Sequence, residues 1–128
     1  MKENRLSIQI HRPVEEVFDF LLNPANTPRW IESFEIEETN EWPVRPGTIY
    51  RNKKKTGQWS EYVLSVLEPG KMFEMVMNDH NYHVRYTFTE LGNGITEVEY
   101  YEWVERGDLE DPFTPDTLEK LKSVIEGR

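Results

Sequence analysis

Residues 6–22 read LSIQIHRPVEEVFDFLL, and within this stretch the spacing of the apolar residues changes from two to about 3.6. Leu6, Ile8 and Ile10 alternate with polar residues, which predicts a half-buried strand. Pro13 suits the first turn of a helix, because the N–H that proline lacks would have no partner there. The apolar residues that follow at helical spacing form one stripe: Val14, Val17, Phe18, Leu21 and Leu22. The stretch therefore predicts a strand and a helix that each bury one side.

The sequence after this helix predicts a second short helical piece over residues 23–30 and then another strand. From residue 33 onward the period returns to two. Phe34 and Ile36 are therefore expected on one face of the strand, and Glu35 and Glu37 on the other.

A series of strands joined by short turns fills the middle of the chain. They are predicted over residues 48–54, 58–67, 71–77, 82–90 and 95–105. The turn signals between them are Thr56-Gly57, Pro69-Gly70, Asn78-Asp79 and Gly92-Asn93-Gly94. Because such short turns can join only antiparallel neighbours, these strands form an antiparallel meander.

The chain closes with a predicted helix over Pro115–Glu126. Thr114 is placed to cap it, Pro115 suits its first position, and Gly127 ends it. Its apolar face is formed by Leu118, Leu121 and Ile125. The meander has an apolar face that must be covered, and this helix is the sizeable element left to cover it.

The order of elements is therefore one strand, two helices, six antiparallel strands and a helix. This order predicts an α+β fold of the helix-grip type, in which a curved antiparallel sheet wraps around the C-terminal helix. The length fits one domain, which we expect to span residues 1–128.

The sequence resembles a known superfamily at several places along nearly its whole length. Residues 12–30 follow the pattern R-P-V-E-E-V-F-D-F-L-x-N-P-x-N-x-P-x-W, and VLEPGK (residues 66–71), YTF (86–88) and GNGIT (92–96) follow later. These motifs resemble the START-like (SRPBCC) superfamily, which includes polyketide cyclase/dehydrase-like proteins, the birch-pollen-allergen fold and lipid-transfer domains. The resemblance implies a cavity between sheet and terminal helix that binds lipids, polyketides, hormones or other hydrophobic molecules. Only some members of the superfamily are enzymes.

Two departures from the superfamily pattern affect what can be expected. The terminal helix is shorter than usual, so either the cavity mouth is open or a second copy of the chain covers it in a homodimer. The chain also lacks the glycine-rich strand motif of the branch that activates the Hsp90 ATPase, which argues against that branch.

Alternation along the strands predicts which side chains face the cavity, if the charged residues are placed outside. The inward sets are Tyr62, Leu64 and Val66; Phe73, Met75 and Met77; Tyr82, Val84, Tyr86 and Phe88; and Thr96, Val98, Tyr100 and Glu102. The candidate ligand-binding residues are Trp30, Tyr62, Phe73, Met75, Met77, Tyr82, Tyr86, Tyr100, Glu102, Leu118 and Leu121. Tyrosines and methionines suit an amphipathic ligand, because tyrosine combines an apolar ring with a polar tip and methionine adapts to varied shapes. The alternative is that these side chains fill a core.

Glu102 is the most unusual member of the inward set. A carboxylate among tyrosines is costly to bury unless it is hydrogen-bonded, and such a residue in a cleft is a candidate for function. The alternative is that Glu102 lies at the wet end of its strand, or that a bulge turns it outward.

Composition excludes several classes of function. With 24 acidic and 15 basic residues, the net charge of −9 disfavours nucleic-acid binding. The absence of cysteine excludes disulfides and thiolate chemistry, and fits a cytoplasmic protein. No apolar run approaches the roughly 20 residues of a membrane span, and no signal peptide is expected.

His11, His80 and His83 are interpreted as surface residues, so no metal and no cofactor are predicted.

Three classes of function remain open. The first is a non-catalytic carrier or sensor of a hydrophobic small molecule. The second is a cyclase- or dehydratase-like enzyme in which Glu102 and a tyrosine, Tyr86 or Tyr100, act as general acid and base. The third is a protein-interaction module that uses Trp42, Trp59 or Trp103 as anchors.

Overall fold

In the computed structural model, which describes residues 2–127, the helices and strands follow the predicted order. The strands are β1 (Glu3–Ile10), β2 (Phe34–Thr39), β3 (Ile49–Lys54), β4 (Trp59–Glu68), β5 (Met72–Met77), β6 (Tyr82–Gly92) and β7 (Ile95–Val104). The helices are α1 (Val14–Leu22), α2 (Thr27–Trp30) and α3 (Pro115–Glu126), and a 3-10 turn over Pro24–Asn26 precedes α2. Residues 1 and 128, the ends of the predicted domain, lie outside the described part of the chain.

The seven strands form one antiparallel sheet in the order β1-β7-β6-β5-β4-β3-β2. Each strand from β2 to β7 pairs with its neighbour in sequence, as the short turns predict. β1 then lies beside β7 at the far edge, with Ile8 opposite Val98 and Leu6 opposite Tyr100. The first and last strands of the chain therefore share one edge of the curved sheet.

The helix α3 lies against this edge of the sheet and packs on β1 and α2. Leu118, Leu121 and Ile125 are buried in the core, as their spacing predicts. The C-terminal end of α3 is fixed to the β1–α1 connection by polar bonds, because the Arg12 guanidinium donates to the Glu126 carbonyl at 2.6 Å and the His11 N–H donates to the Glu126 carboxylate at 2.8 Å. The arrangement confirms the α+β helix-grip fold.

Two β-bulges overturn part of the predicted face assignment. In β4 the register shifts between Leu64 and Val66, which places Val66 opposite the outward Glu74, and Leu67 opposite the inward Phe73. The prediction that Val66 points inward is therefore wrong, because a bulge inserts one residue and reverses the alternation beyond it. Leu67 packs against the core in its place.

The second bulge lies in β2, between Phe34 and Ile36. Phe34 packs against the core, whereas Ile36 is 43% exposed. The prediction that Phe34 and Ile36 share a face is wrong for the same reason, and Glu37 turns inward opposite the buried Asn52. The bulge thereby places a carboxylate on the inner face of the sheet.

The start of α3 differs in one detail from the prediction. Thr114 occupies the N-cap position, but its side chain accepts no capping hydrogen bond. Gly127 ends the helix as predicted. None of the described helices is long and apolar enough to span a membrane.

Candidate functional site

The inner face of the sheet gathers the aromatic side chains that alternation predicts. Phe73 lies 4.8 Å from Tyr86, and Tyr86 lies 5.3 Å from Tyr100, measured between ring centroids. Tyr62 and Tyr82 form an edge-to-face pair at 6.2 Å. Offset and edge-to-face contacts of this kind are the favourable arrangements for aromatic rings. The strands β4 to β7 thus present one continuous cluster of rings.

The covering of this face is uneven. Phe73, Tyr86 and Tyr100 are buried, with Leu118 and Leu121 of α3 also inside the core. By contrast, four predicted inward side chains are only half-buried: Tyr62, Met75, Met77 and Tyr82. The helix α3 packs on β1 and α2, whereas these four side chains lie on β4, β5 and the start of β6.

Glu102 is directed inward and is only 1% exposed. Glu102 lies in an unbroken stretch of β7, opposite Val84. It is therefore neither at the solvent-exposed end of the strand nor turned outward by a bulge. One carboxylate oxygen accepts a hydrogen bond from the Tyr82 hydroxyl at 2.5 Å. The other accepts from the Asn4 amide and from the Phe113 backbone N–H, each at 2.9 Å. These bonds offset the cost of burying the charge.

The Tyr82 hydroxyl connects Glu102 to a second tyrosine. It lies 3.3 Å from the Tyr100 hydroxyl, so it can accept from Tyr100 while it donates to Glu102. Burial, followed by the charge of Glu102, raises the pKa of Tyr82 far above its ordinary value. Burial likewise raises the pKa of Tyr100. Both hydroxyls therefore remain protonated near neutral pH and act as hydrogen-bond donors.

Phe113 enters the same cluster from the loop before α3, and the sequence pattern did not identify it. Its ring stacks on Tyr100 at 4.5 Å and meets Trp30 edge-to-face at 5.7 Å. Its backbone N–H donates to Glu102, and its carbonyl accepts from Asn4 at 2.8 Å. The residue lies between β7 and α3, where neither period applies, so only its tertiary contacts reveal its place. The ring of Phe113 thus covers Tyr100.

A cavity of about 320 Å³ lies beside Phe113. Trp30, Ile31 and Phe113 line it together with polar residues of the α3 start, Asp116 and Lys120 among them. Its volume is at the lower end of the range for small-molecule sites. Phe113 thus lines this cavity and also stacks on Tyr100 of the inner cluster. A second cavity, of about 510 Å³, is a groove between the start of α1 and the β4–β5 and β6 segments.

A second polar pair lies at the β2 side of the inner face. The Thr27 hydroxyl donates to one oxygen of Glu37 at 2.6 Å, and the Asn52 amide lies 3.4 Å from the other oxygen. Burial raises the pKa of Glu37 to about 7, against the opposing effect of these two hydrogen bonds. The carbonyl oxygen of Asn52 is buried and has no hydrogen-bond partner among the described residues. The sequence pattern identified neither residue. The bulge that turns Glu37 inward has no signal in the sequence, and Asn52 lies on β3 between Arg51 and Lys53, where nothing marks it as buried.

The outer face of the sheet carries a second aromatic cluster. Trp103 stacks between His83 at 4.6 Å and Tyr101 at 4.9 Å. The Arg5 guanidinium lies over Tyr101 at 4.0 Å, and the Arg85 guanidinium lies over Trp103 at 5.2 Å. These side chains are half-buried or exposed. Trp59, 44% exposed, similarly lies under Arg51 at 4.7 Å.

The histidines do not form a metal site in the described part of the chain. His11 and His80 are exposed, and His83 lies on the outer face near Glu105. Within residues 2–127, no group of three or more histidine, aspartate or glutamate side chains is placed to hold a metal ion.

Comparison with known proteins places these features in a family context. The family model described as "Polyketide cyclase / dehydrase and lipid transport" matches residues 1–127. No curated protein matches the chain.

Several solved structures share the fold. A protein from Mesorhizobium loti has a TM-score of 0.77 at 17% sequence identity, over 98% of this chain and 98% of that chain. The Aha1 dimer from Colwellia psychrerythraea has a TM-score of 0.70 at 13% identity, over 98% and 97%. An AHSA1-like protein from Aeromonas hydrophila has a TM-score of 0.63 at 20% identity, over 97% and 93%. At these identities the likeness establishes the fold only.

Proposed function

The chain belongs to the polyketide cyclase/dehydrase and lipid transport family, which confirms the START-like resemblance, and on that premise we propose that it binds an amphipathic small molecule. The ligand lies on the open part of the inner face, beside the tyrosine cluster. Lipids, polyketides and aromatic compounds are the classes that this surface suits. The protein acts as a carrier or sensor.

The observation that carries this proposal is the partial covering of the inner face. Tyr62, Met75, Met77 and Tyr82 lie on the face that forms the core elsewhere, yet all four remain half-buried. Apolar surface left open beside a core is typical of a binding groove. The methionines can adjust their shape to a ligand, and the tyrosine rings can pack against it.

Phe113 supports a route from the outside to the buried tyrosines. Phe113 lines the 320 Å³ cavity, and its ring stacks on Tyr100. A rotation of this one side chain would join the cavity to the inner cluster. The candidate site residues Trp30 and Tyr100 would then line one continuous space, with Leu118 and Leu121 of α3 behind it.

Glu102 fits a positioning role better than a catalytic one. Three donors from the chain itself, on Tyr82, Asn4 and Phe113, already bond to its two oxygens, and the residue is only 1% exposed. A general base needs a lone pair directed at the substrate. One observation favours the enzyme alternative. The hydrogen bonds from Tyr100 to Tyr82 and from Tyr82 to Glu102 form a chain along which a proton would move. Loss of turnover in Glu102→Gln, with the fold and ligand binding retained, would support the enzyme.

A homodimer and a cytoplasmic location belong to the same proposal. One structure with this fold is described as a dimer, and the open inner face offers apolar surface that a second copy could cover. The absence of cysteine is consistent with the cytoplasm. Sedimentation velocity with and without ligand would separate a dimer that closes the site from a monomer.

A titration with the hydrophobic dye Nile red tests the binding proposal. We expect saturable binding to the wild type and its loss in Met75→Lys, because a charge on the open inner face opposes an apolar ligand. The matched control is Val76→Lys, which places the same charge at the next residue of β5, on the outer face opposite His83. Equal binding by all three proteins, or no binding by the wild type, would contradict the proposal.

A further inference from the structure

The inner face has a polar end on β2 and β3 that the tyrosine cluster does not include. Glu37 and Asn52 lie opposite each other there, and both point to the inner side. We propose that Asn52 and Glu37 bind a hydrogen-bond donor on the ligand, such as a hydroxyl group, and thereby select an alcohol over an ether or a carboxylate. This inference rests on the proposed binding function and specifies the chemistry of its ligand.

The first support is the unsatisfied state of Asn52. The residue is 2% exposed, and its carbonyl oxygen has no partner among the described residues. Buried polar groups nearly always have a hydrogen-bond partner, and leaving one unpaired destabilises the fold. An apolar residue would be less costly at this position. A buried hydrogen-bond acceptor without a partner is available to a ligand group that donates a hydrogen bond.

The second support is the arrangement of Glu37. Thr27 occupies one of its oxygens at 2.6 Å, whereas within residues 2–127 the other has only the Asn52 amide at 3.4 Å. That second oxygen therefore has room for a shorter bond from an additional donor. Burial raises the pKa of Glu37 to about 7, so near neutral pH the acid and the carboxylate are both populated, and the carboxylate form accepts from a ligand donor and repels an anionic ligand group.

The pair also lies next to the open apolar surface. Asn52 pairs with Ser60 across β3 and β4, and one step along the same face Tyr50 pairs with Tyr62. A ligand whose apolar part lies on Tyr62 and Met75 would bring its polar end towards Asn52. Lys54 follows on the same face of β3, next to the hairpin turn, and is the group that an anionic ligand would use instead.

Displacement of Nile red by three matched compounds tests the proposal: 1-decanol, decyl methyl ether and decanoate. Each has a straight chain of ten carbons, and only decanol carries a hydrogen-bond donor at neutral pH. For the wild type we expect decanol to bind about five- to tenfold more tightly than the ether, the value of one net hydrogen bond. Decanoate should bind more weakly than decanol.

Two variants locate the effect. In Asn52→Leu, an apolar side chain of similar size replaces the free acceptor, so the preference for decanol should vanish while the melting temperature stays equal or rises. Glu37→Gln keeps the size and the bond to Thr27 and should also reduce the preference. The matched control is Thr96→Val, which removes a buried hydroxyl that is already satisfied by the Arg12 carbonyl. It should lower stability and leave the preference unchanged.

The outcomes separate the two proposals. If the wild type does not bind Nile red, the binding function and this inference both fail. If it binds the dye but prefers decanoate, or shows no preference for decanol over the ether, the inference alone fails. A preference that survives both Asn52→Leu and Glu37→Gln also overturns it.

Discussion

Removal of the Glu102 carboxylate should loosen the segment that carries Phe113. The carboxylate accepts three hydrogen bonds inside the chain, and two of their donors, Asn4 and the Phe113 N–H, tie the loop before α3 to β7 and β1. Hydrogen bonds to a charged group contribute about 1.5–3 kcal/mol each, and neutral ones about 0.5–1.5. Glu102→Gln should therefore lose about 1 kcal/mol per bond, partly offset because a neutral amide costs less to bury. The net expected cost is about 2 kcal/mol.

Glu102→Ala should cost more, because it leaves the donors without an acceptor. Each unsatisfied buried donor costs about 1–3 kcal/mol. Asn4 keeps its hydrogen bond to the Phe113 carbonyl, and the Tyr82 hydroxyl keeps its hydrogen bond with the Tyr100 hydroxyl. We therefore expect a total loss of about 3–4 kcal/mol in the free energy of unfolding. Urea unfolding followed by tryptophan fluorescence would measure both variants.

The matched control is Glu99→Ala, three residues earlier on β7. Glu99 is on the outer face, where it bonds to the exposed Arg5 at 2.7 Å. Exposed ion pairs contribute about 0–1 kcal/mol, so this change should be nearly neutral. If Glu102→Ala destabilises the protein no more than Glu99→Ala does, the positioning role of Glu102 is refuted.

Two further predictions concern pH and access. Burial holds the pKa of folded Glu37 at about 7 instead of 4.5, so between these values the folded state binds more protons than the unfolded state, and the contribution of this residue to stability falls as the pH rises. The free energy of unfolding should fall by about 3 kcal/mol across this range, and urea unfolding from pH 4 to 8 would measure it. In Glu37→Gln the free energy of unfolding should depend less on pH. Equal pH dependence in the variant and the wild type would contradict the raised pKa of Glu37. Phe113→Ala should open the route between the 320 Å³ cavity and Tyr100, at a cost of about 2–3 kcal/mol for a half-buried ring. Stopped-flow mixing should then show faster entry of Nile red, and an unchanged rate would exclude Phe113 from the route.

Local pattern was sufficient to predict the strands and the helix faces. In β7, Thr96, Val98, Tyr100 and Glu102 are all buried, because the strand is regular and its alternation is unbroken. The face of α3 followed equally well from the spacing of Leu118, Leu121 and Ile125. These predictions depend on backbone periodicity, which the sequence contains directly.

The polar part of the candidate site could not be predicted in this way. The bulge in β2 turns Glu37 to the inner face of the sheet. The bulge in β4 places Leu67 on the inner face where alternation predicts Val66. A single inserted residue changes the side of every later position, and nothing in the residue types marks where it occurs. Phe113 lies in a loop, so its contact with Tyr100 depends on how the tertiary structure brings α3 back to the sheet.

Native mass spectrometry of protein purified from its own host tests most directly whether the inner face holds a small molecule. We predict an adduct on the wild type that is lost on denaturation, absent from Met75→Lys and retained by Val76→Lys. The bare protein mass for the wild type, or an adduct that Met75→Lys retains in full, would contradict the account.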